Sequence, residues 1–197
     1  MDPKRRNQIF WGLAAVGVVT VVAVVLSAVL PGTSSGSSTK NLAKTLAAAG
    51  CTFKTSPSQG RTHYTSLTPK NPMKYNSFPP TSGSHYYIAA IWGNYTSPVA
   101  LIQQIHNLEH GGIVIQYGSK VPQATIDKLN AFYTADAPGL VLAPLPALGG
   151  KVALTAWTHL ATCSGFDQKG FAAFRDAFRY KGPESPQIPT AAMQPGQ

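Results

Sequence analysis

Gly112-Ile113-Val114-Ile115-Gln116-Tyr117 is the stretch whose reading decides the fold. A β-branched run with a closing tyrosine, entered from a glycine pair, specifies a strand with a buried interior. Downstream, Pro122 to Tyr133 carries Ile126, Leu129, Ala131 and Tyr133 and predicts a helix. Leu140–Leu142 and Val152–Trp157 predict two more strands, parted by Pro144, Pro146 and the Gly149-Gly150 turn. Phe171, Phe174, Ala177 and Phe178 then recur at helical spacing behind Asp167, which is placed to cap that helix. The order β-α-β-β-α predicts an α+β fold: a single small domain with helices packed on a small mixed sheet.

Upstream of the deciding strand, Ser97-Pro98 has the form of an N-cap followed by proline at the first helical position. Tyr86–Trp92 predicts a strand. Gly60 to Ser84, with Pro69, Pro72, Pro79 and Pro80, is a long loop of the kind that carries function in compact domains. Asn41 to Ala49 places Leu42, Leu46 and Ala49 at helical spacing, with Gly50 as the C-terminal cap.

The N-terminal residues have a different character. From Ile9 to Leu30 no residue carries a charge. At about 1.5 Å per residue a helix of that length spans roughly 33 Å, enough for a bilayer core. Lys4, Arg5 and Arg6 precede the run and no basic residue follows until Lys40, so the positive-inside rule puts the N-terminus in the cytoplasm. A cleaved signal peptide has a shorter apolar core than this. The expected organisation is a cytoplasmic N-terminus at 1–8 and a transmembrane helix at 9–30. A Gly/Ser/Thr linker follows at 31–40, then an extracytoplasmic domain at 41–181 and a disordered tail at 182–197. The chain is thus expected in the cell membrane as a single-pass protein.

The 197 residues hold 16 Lys and Arg against 7 Asp and Glu, a net charge of +9. No basic stripe interleaved with aromatics accompanies that excess, so nucleic acid is not an expected partner. Anionic lipid or another envelope component is. Cys51 and Cys163 are the only cysteines. Outside the cytoplasm an isolated pair is most simply a disulfide, the alternative being a pair of thiolate metal ligands.

Five histidines remain: His63, His85, His106, His110 and His159. His106-Asn107-Leu108-Glu109-His110 puts two imidazoles on one face whether the segment is helical or extended. His63 and His85 sit in the Pro/Gly-rich loop, where the chain can be bent to bring them inward, with Met73 between them. Three or four imidazoles suit zinc or copper, and a thioether tilts the choice towards copper. Glu109 is a candidate ligand, imidazole partner or general base.

The residues also carry a resemblance. Cys51 to Asp167 resembles domain of unknown function family 3105 (DUF3105), found largely in membrane-anchored bacterial proteins. It does so through His63, Tyr75, Pro79-Pro80-Thr81-Ser82-Gly83-Ser84-His85 and Gly93-Asn94-Tyr95. It continues through His106-Asn107-Leu108-Glu109-His110-Gly111-Gly112, Tyr117, Ala156-Trp157 and Cys163. The resemblance implies no activity, but it groups His63, His85, His106 and His110 and leaves out His159.

Three functions follow as expectations. The first is a transition-metal site, copper or zinc, on His63, His85, His106 and His110 with Glu109 and Met73. The second is a partner-binding or structural ectodomain using Tyr86, Tyr87, Trp92 and Tyr95. The third is a zinc metallopeptidase, since His106-x-x-Glu109-His110 spells the inverted zinc-peptidase motif. That motif needs a sustained helix and a downstream carboxylate ligand. Here Gly111-Gly112 and a strand follow at once, and Asp127, Asp136, Asp167, Asp176 and Glu184 lie in no matching helical context.

Overall fold

The computed structural model describes residues 34–185 and 187–197. In chain order the elements are α1 (Ser34–Ala48), β1 (Cys51–Thr55), β2 (His63–Tyr64), β3 (His85–Tyr86), β4 (Gly93–Asn94) and α2 (Leu101–Glu109). There follow β5 (Ile113–Tyr117), α3 (Gln123–Ala135), β6 (Leu140–Pro144), β7 (Val152–Ala156), β8 (His159–Cys163) and α4 (Gln168–Phe178). Six strands form one mixed sheet in the order β1-β8-β7-β5-β6-β4, and β2 pairs with β3 separately. The fold is α+β, with four α-helices among the described residues.

The deciding strand lies inside the sheet, parallel to β6 and antiparallel to β7. Residues Ile113 to Gln116 are all buried, as expected of a strand covered on both faces. Alternation sends Ile113 and Ile115 into a core with Leu46, Leu129, Leu140, Leu142, Leu154, Phe171 and Phe174, built by α1, α3 and α4. Val114 faces the other way, onto Leu108 of α2, Trp92 and Met193. At the sheet's far edge β1 pairs with β8 in a register that sets Cys51 opposite Cys163, and the two are joined as a disulfide. Asp167 caps α4, its Oδ1 accepting from the Gly170 N–H at 2.7 Å.

Several expectations are corrected. The segment 31–40, expected as a linker, contains the start of α1 at Ser34. Burial of Leu42 and Leu46 anchors that helix on the core, and tertiary packing outweighs the weak helix propensity of its Ser- and Gly-rich start. Of the segment 182–197, expected as a disordered tail, the described residues Ile188 and Met193 pack against the second face of the sheet. Met193 is buried there and its carbonyl accepts from the Gly139 N–H at 2.8 Å. Gln197 and Gly196 exchange backbone hydrogen bonds with Trp92. The strand expected over Tyr86–Trp92 is only His85–Tyr86, after which Tyr87, Ile88 and Ile91 are exposed. The helix expected from Ser97-Pro98 begins at Leu101, with Ala100 as a cap without a side-chain hydrogen bond. Strands β1 and β8 carry too weak an alternation to stand out in sequence. The apolar run 9–30 lies outside the described residues, among which no helix is long and apolar enough to cross a membrane.

Candidate metal centre

Helix α2 carries the heart of the site. Its C-terminal half, Gln104 to Glu109, is buried on every side. Ile105 and Leu108 supply the apolar contacts, while 106, 109 and 110, at i, i+3 and i+4, share the adjoining face. The end of the helix explains the two glycines. Gly111 N–H donates to the Leu108 carbonyl and Gly112 N–H to the Asn107 carbonyl, the paired bonds of a Schellman motif. Gly111 has φ +89°, and a side chain on Gly112 would strike the Trp92 ring. His110 is the capping residue, so the helix stops at the motif instead of running through it.

The other two histidines arrive by backbone pairing. Gly83, His85 and Tyr87 donate their N–H groups to the carbonyls of Gly60, Thr62 and Tyr64, so 60–64 runs extended along 83–87. The parallel register sets His63 beside His85. Asn107 joins this pair to α2. Its amide donates to the Ala90 carbonyl at 2.8 Å and accepts from the Ala90 N–H at 3.0 Å, both buried.

The result is one cluster. Ligand atoms of His63, His85, His106 and Glu109 lie within 4.8 Å of one another, a group that could hold a metal ion. Glu109 Oε2 lies 2.9 Å from His85 Nε2 and 3.3 Å from His63 Nε2. His106 stacks on His63 with ring centroids 5.0 Å apart. Two of the rings have fixed tautomers. His85 Nδ1 faces the Gly83 carbonyl at 2.8 Å and His106 Nδ1 faces the Tyr86 carbonyl at 2.9 Å. A carbonyl only accepts, so each Nδ1 carries a proton and each ring turns its Nε2 inward. The Nε2 of His85 therefore faces a carboxylate oxygen, a contact that a proton or a metal ion bridges.

Burial sets the protonation state of the helix histidines. Burial is the main reason the His106 pKa falls to about 4, so its imidazole is neutral at pH 7. Burial also lowers His110. For Glu109, burial pushes the pKa up, but hydrogen bonds and charge from His85, His63 and His106 outweigh it and hold the carboxyl below its ordinary value. Glu109 Oε1 is buried without a hydrogen-bond partner, its closest cation being Arg61 Nε at 3.7 Å.

The expected ligands are not all brought together. His110 stands beside the group, Nε2 3.0 Å from His106 Nε2 and 3.6 Å from Glu184 Oε2. Met73 is turned away: its sulfur accepts from the Ser84 N–H at 3.4 Å and lies over Gly83. His159 is remote, bonded to Thr55 at 3.0 Å and stacked on Phe178. Arg61, Asn107 and Glu184 are neighbours that sequence reasoning missed. Arg61 left a signal, two residues before His63 in an extended stretch and hence on the same side, and Asn107 lies inside the motif that carries the family resemblance.

Residues 66–191 match the family described as "Protein of unknown function (DUF3105)". The chain belongs to that family. The matched segment of the DUF3105 protein includes His85, His106, Glu109 and His110 and begins three residues after His63. It ends beyond Asp167, taking in much of the C-terminal segment that packs on the sheet. No curated protein and no solved structure matches the chain.

Proposed function

We propose that this DUF3105 domain binds one transition-metal ion through His63, His85, His106 and Glu109. The observation that carries this reading is the convergence of three imidazoles and one buried carboxylate, whose ligand atoms lie within 4.8 Å of one another. Three imidazoles and one carboxylate are a donor set for zinc, with cupric copper second. Cuprous copper loses its support because Met73 lies outside the group. We further propose that the run 9–30 anchors the chain in the cell membrane with this domain outside the cytoplasm. The peptidase alternative loses ground because Glu109 is wholly buried and engaged by two histidines. A surface for an envelope protein is the second reading, favoured by exposed Tyr87, Ile88 and Ile91.

Elemental analysis of the purified untagged chain tests the metal. One zinc or copper per chain is expected, and His106→Ala should remove most of it while leaving the unfolding transition cooperative. Failure of the metal-stripped chain to take up either ion at micromolar concentration would reject the reading.

A further inference from the structure

The four donors are unequally covered. His85 and Glu109 are fully buried and His106 nearly so, whereas the His63 side chain is 41% exposed. The centre therefore meets solvent on the His63 side. One cation shares that side. Arg61 precedes His63 in the same extended stretch and its side chain is 50% exposed. Its Nη1 donates to Glu184 Oε1 at 3.4 Å, while its Nε–H edge faces Glu109 Oε1 from 3.7 Å, too far for a hydrogen bond. Glu184 is itself held in place. Its N–H donates to the Glu109 carbonyl at 3.0 Å, and the next residue's hydroxyl, Ser185 Oγ, donates to the His110 carbonyl at 3.1 Å.

We propose that the open side of this centre is an oxyanion site, taking a small carboxylate or phosphate between Arg61 and the bound metal. The inference rests on the metal reading above. A divalent ion with three neutral imidazoles and one carboxylate keeps one positive charge. Ligation of Glu109 also removes the negative charge that now faces the Arg61 Nε–H edge. The guanidinium then has donors free beyond the one given to Glu184, in the planar fork that suits carboxylate and phosphate. Glu184 is a positioning residue: it holds Arg61 at the rim and does not touch the anion.

Calorimetric titration of the zinc-loaded full chain in neutral detergent, with acetate and separately with inorganic phosphate, tests this. Saturable binding is expected that vanishes when zinc is stripped. Arg61→Gln should keep one zinc and bind the anion at least about tenfold more weakly, with Arg61→Lys intermediate. Glu184→Gln should weaken the anion severalfold at unchanged zinc content. A second arm places the chain in nanodiscs of neutral or phosphatidylglycerol lipid. Competition by the anionic lipid would identify a headgroup as the oxyanion source, and its absence a soluble one. The oxyanion site is overturned if zinc-loaded protein binds neither probe or if Arg61→Gln binds them equally well. Loss of zinc in Arg61→Gln would also overturn it, by assigning Arg61 to the metal. Wild-type protein that takes up no metal would instead reject the metal reading, and this inference with it.

Discussion

The sheet and the histidine layer are built on different principles. In the sheet, strands β5, β6 and β7 bury nearly every side chain, and apolar contact does the holding. In the layer spanning residues 56–90 only two two-residue strands occur. Side chains bonded to backbone hold that layer instead. Tyr75 Oη donates to the Ser84 carbonyl, Asn76 to the Pro57 carbonyl, and Gln59 to the Lys74 carbonyl while accepting from the Asn76 N–H. Apolar packing tolerates small shifts, whereas a metal centre needs each imidazole aimed along a set direction, which hydrogen bonds of fixed geometry supply. The comparison teaches that the sheet is a platform and the layer is the instrument, joined through α2.

Breaking the platform should have the largest effect. The Cys51–Cys163 bridge spans 112 residues of sequence, and the chain-entropy model assigns a loop of that size about 4–5 kcal/mol. Replacing both cysteines by alanine should lower the urea midpoint accordingly. The protein that remains folded should still bind metal, because the bridge lies at the sheet edge away from α2. Loss of metal affinity in the folded fraction would deny that the two regions are separable.

The joint comes next. Asn107→Ala removes both hydrogen bonds to Ala90 and leaves a buried N–H and carbonyl unpaired, a cost of about 2–4 kcal/mol. Hydrogen exchange should quicken over residues 85–92 and metal affinity should fall, while protection of β5 and β7 against local opening stays unchanged.

Acid should then act chiefly through the histidines of α2. Folded His106 titrates near 4 against about 6.5 unfolded. Between those values the unfolded chain binds the extra proton, so stability is complete above the unfolded value and is lost as pH falls. For metal-free protein the loss from His106 between pH 7 and pH 5 is about 2 kcal/mol. His110 and His159, also lowered by burial, act in the same sense. His106→Gln should flatten the pH dependence of the urea midpoint by that share, and an unchanged slope would refute the assignment.

The smallest effect on the site is expected from His159→Ala. It loses the stack on Phe178, whose ring centroid lies 4.0 Å away, and costs about 1 kcal/mol of stability. Metal content should not change. A drop would mean that the sheet edge and the layer are coupled more tightly than their contacts indicate.

The sequence by itself determined the central strand, because Ile-Val-Ile in a row has no amphipathic alternative, and α4, because Asp167 and the phenylalanine spacing agree. It also determined that His106, Glu109 and His110 share a face, which follows from local geometry. Tertiary structure alone decided the rest. The pairing of β2 with β3 brings His63 to His85 across 22 positions of sequence, and no local pattern encodes which distant segments exchange backbone hydrogen bonds. Residue type grouped Met73 with the ligands and the shared face grouped His110, but the direction of a side chain depends on what surrounds it: the Met73 sulfur accepts from the Ser84 N–H, and His110 caps the helix beside the group. The C-terminal segment, with four prolines and no aromatic, reads as a disordered tail, yet Met193 and Ile188 find a surface already built by Trp92 and the sheet.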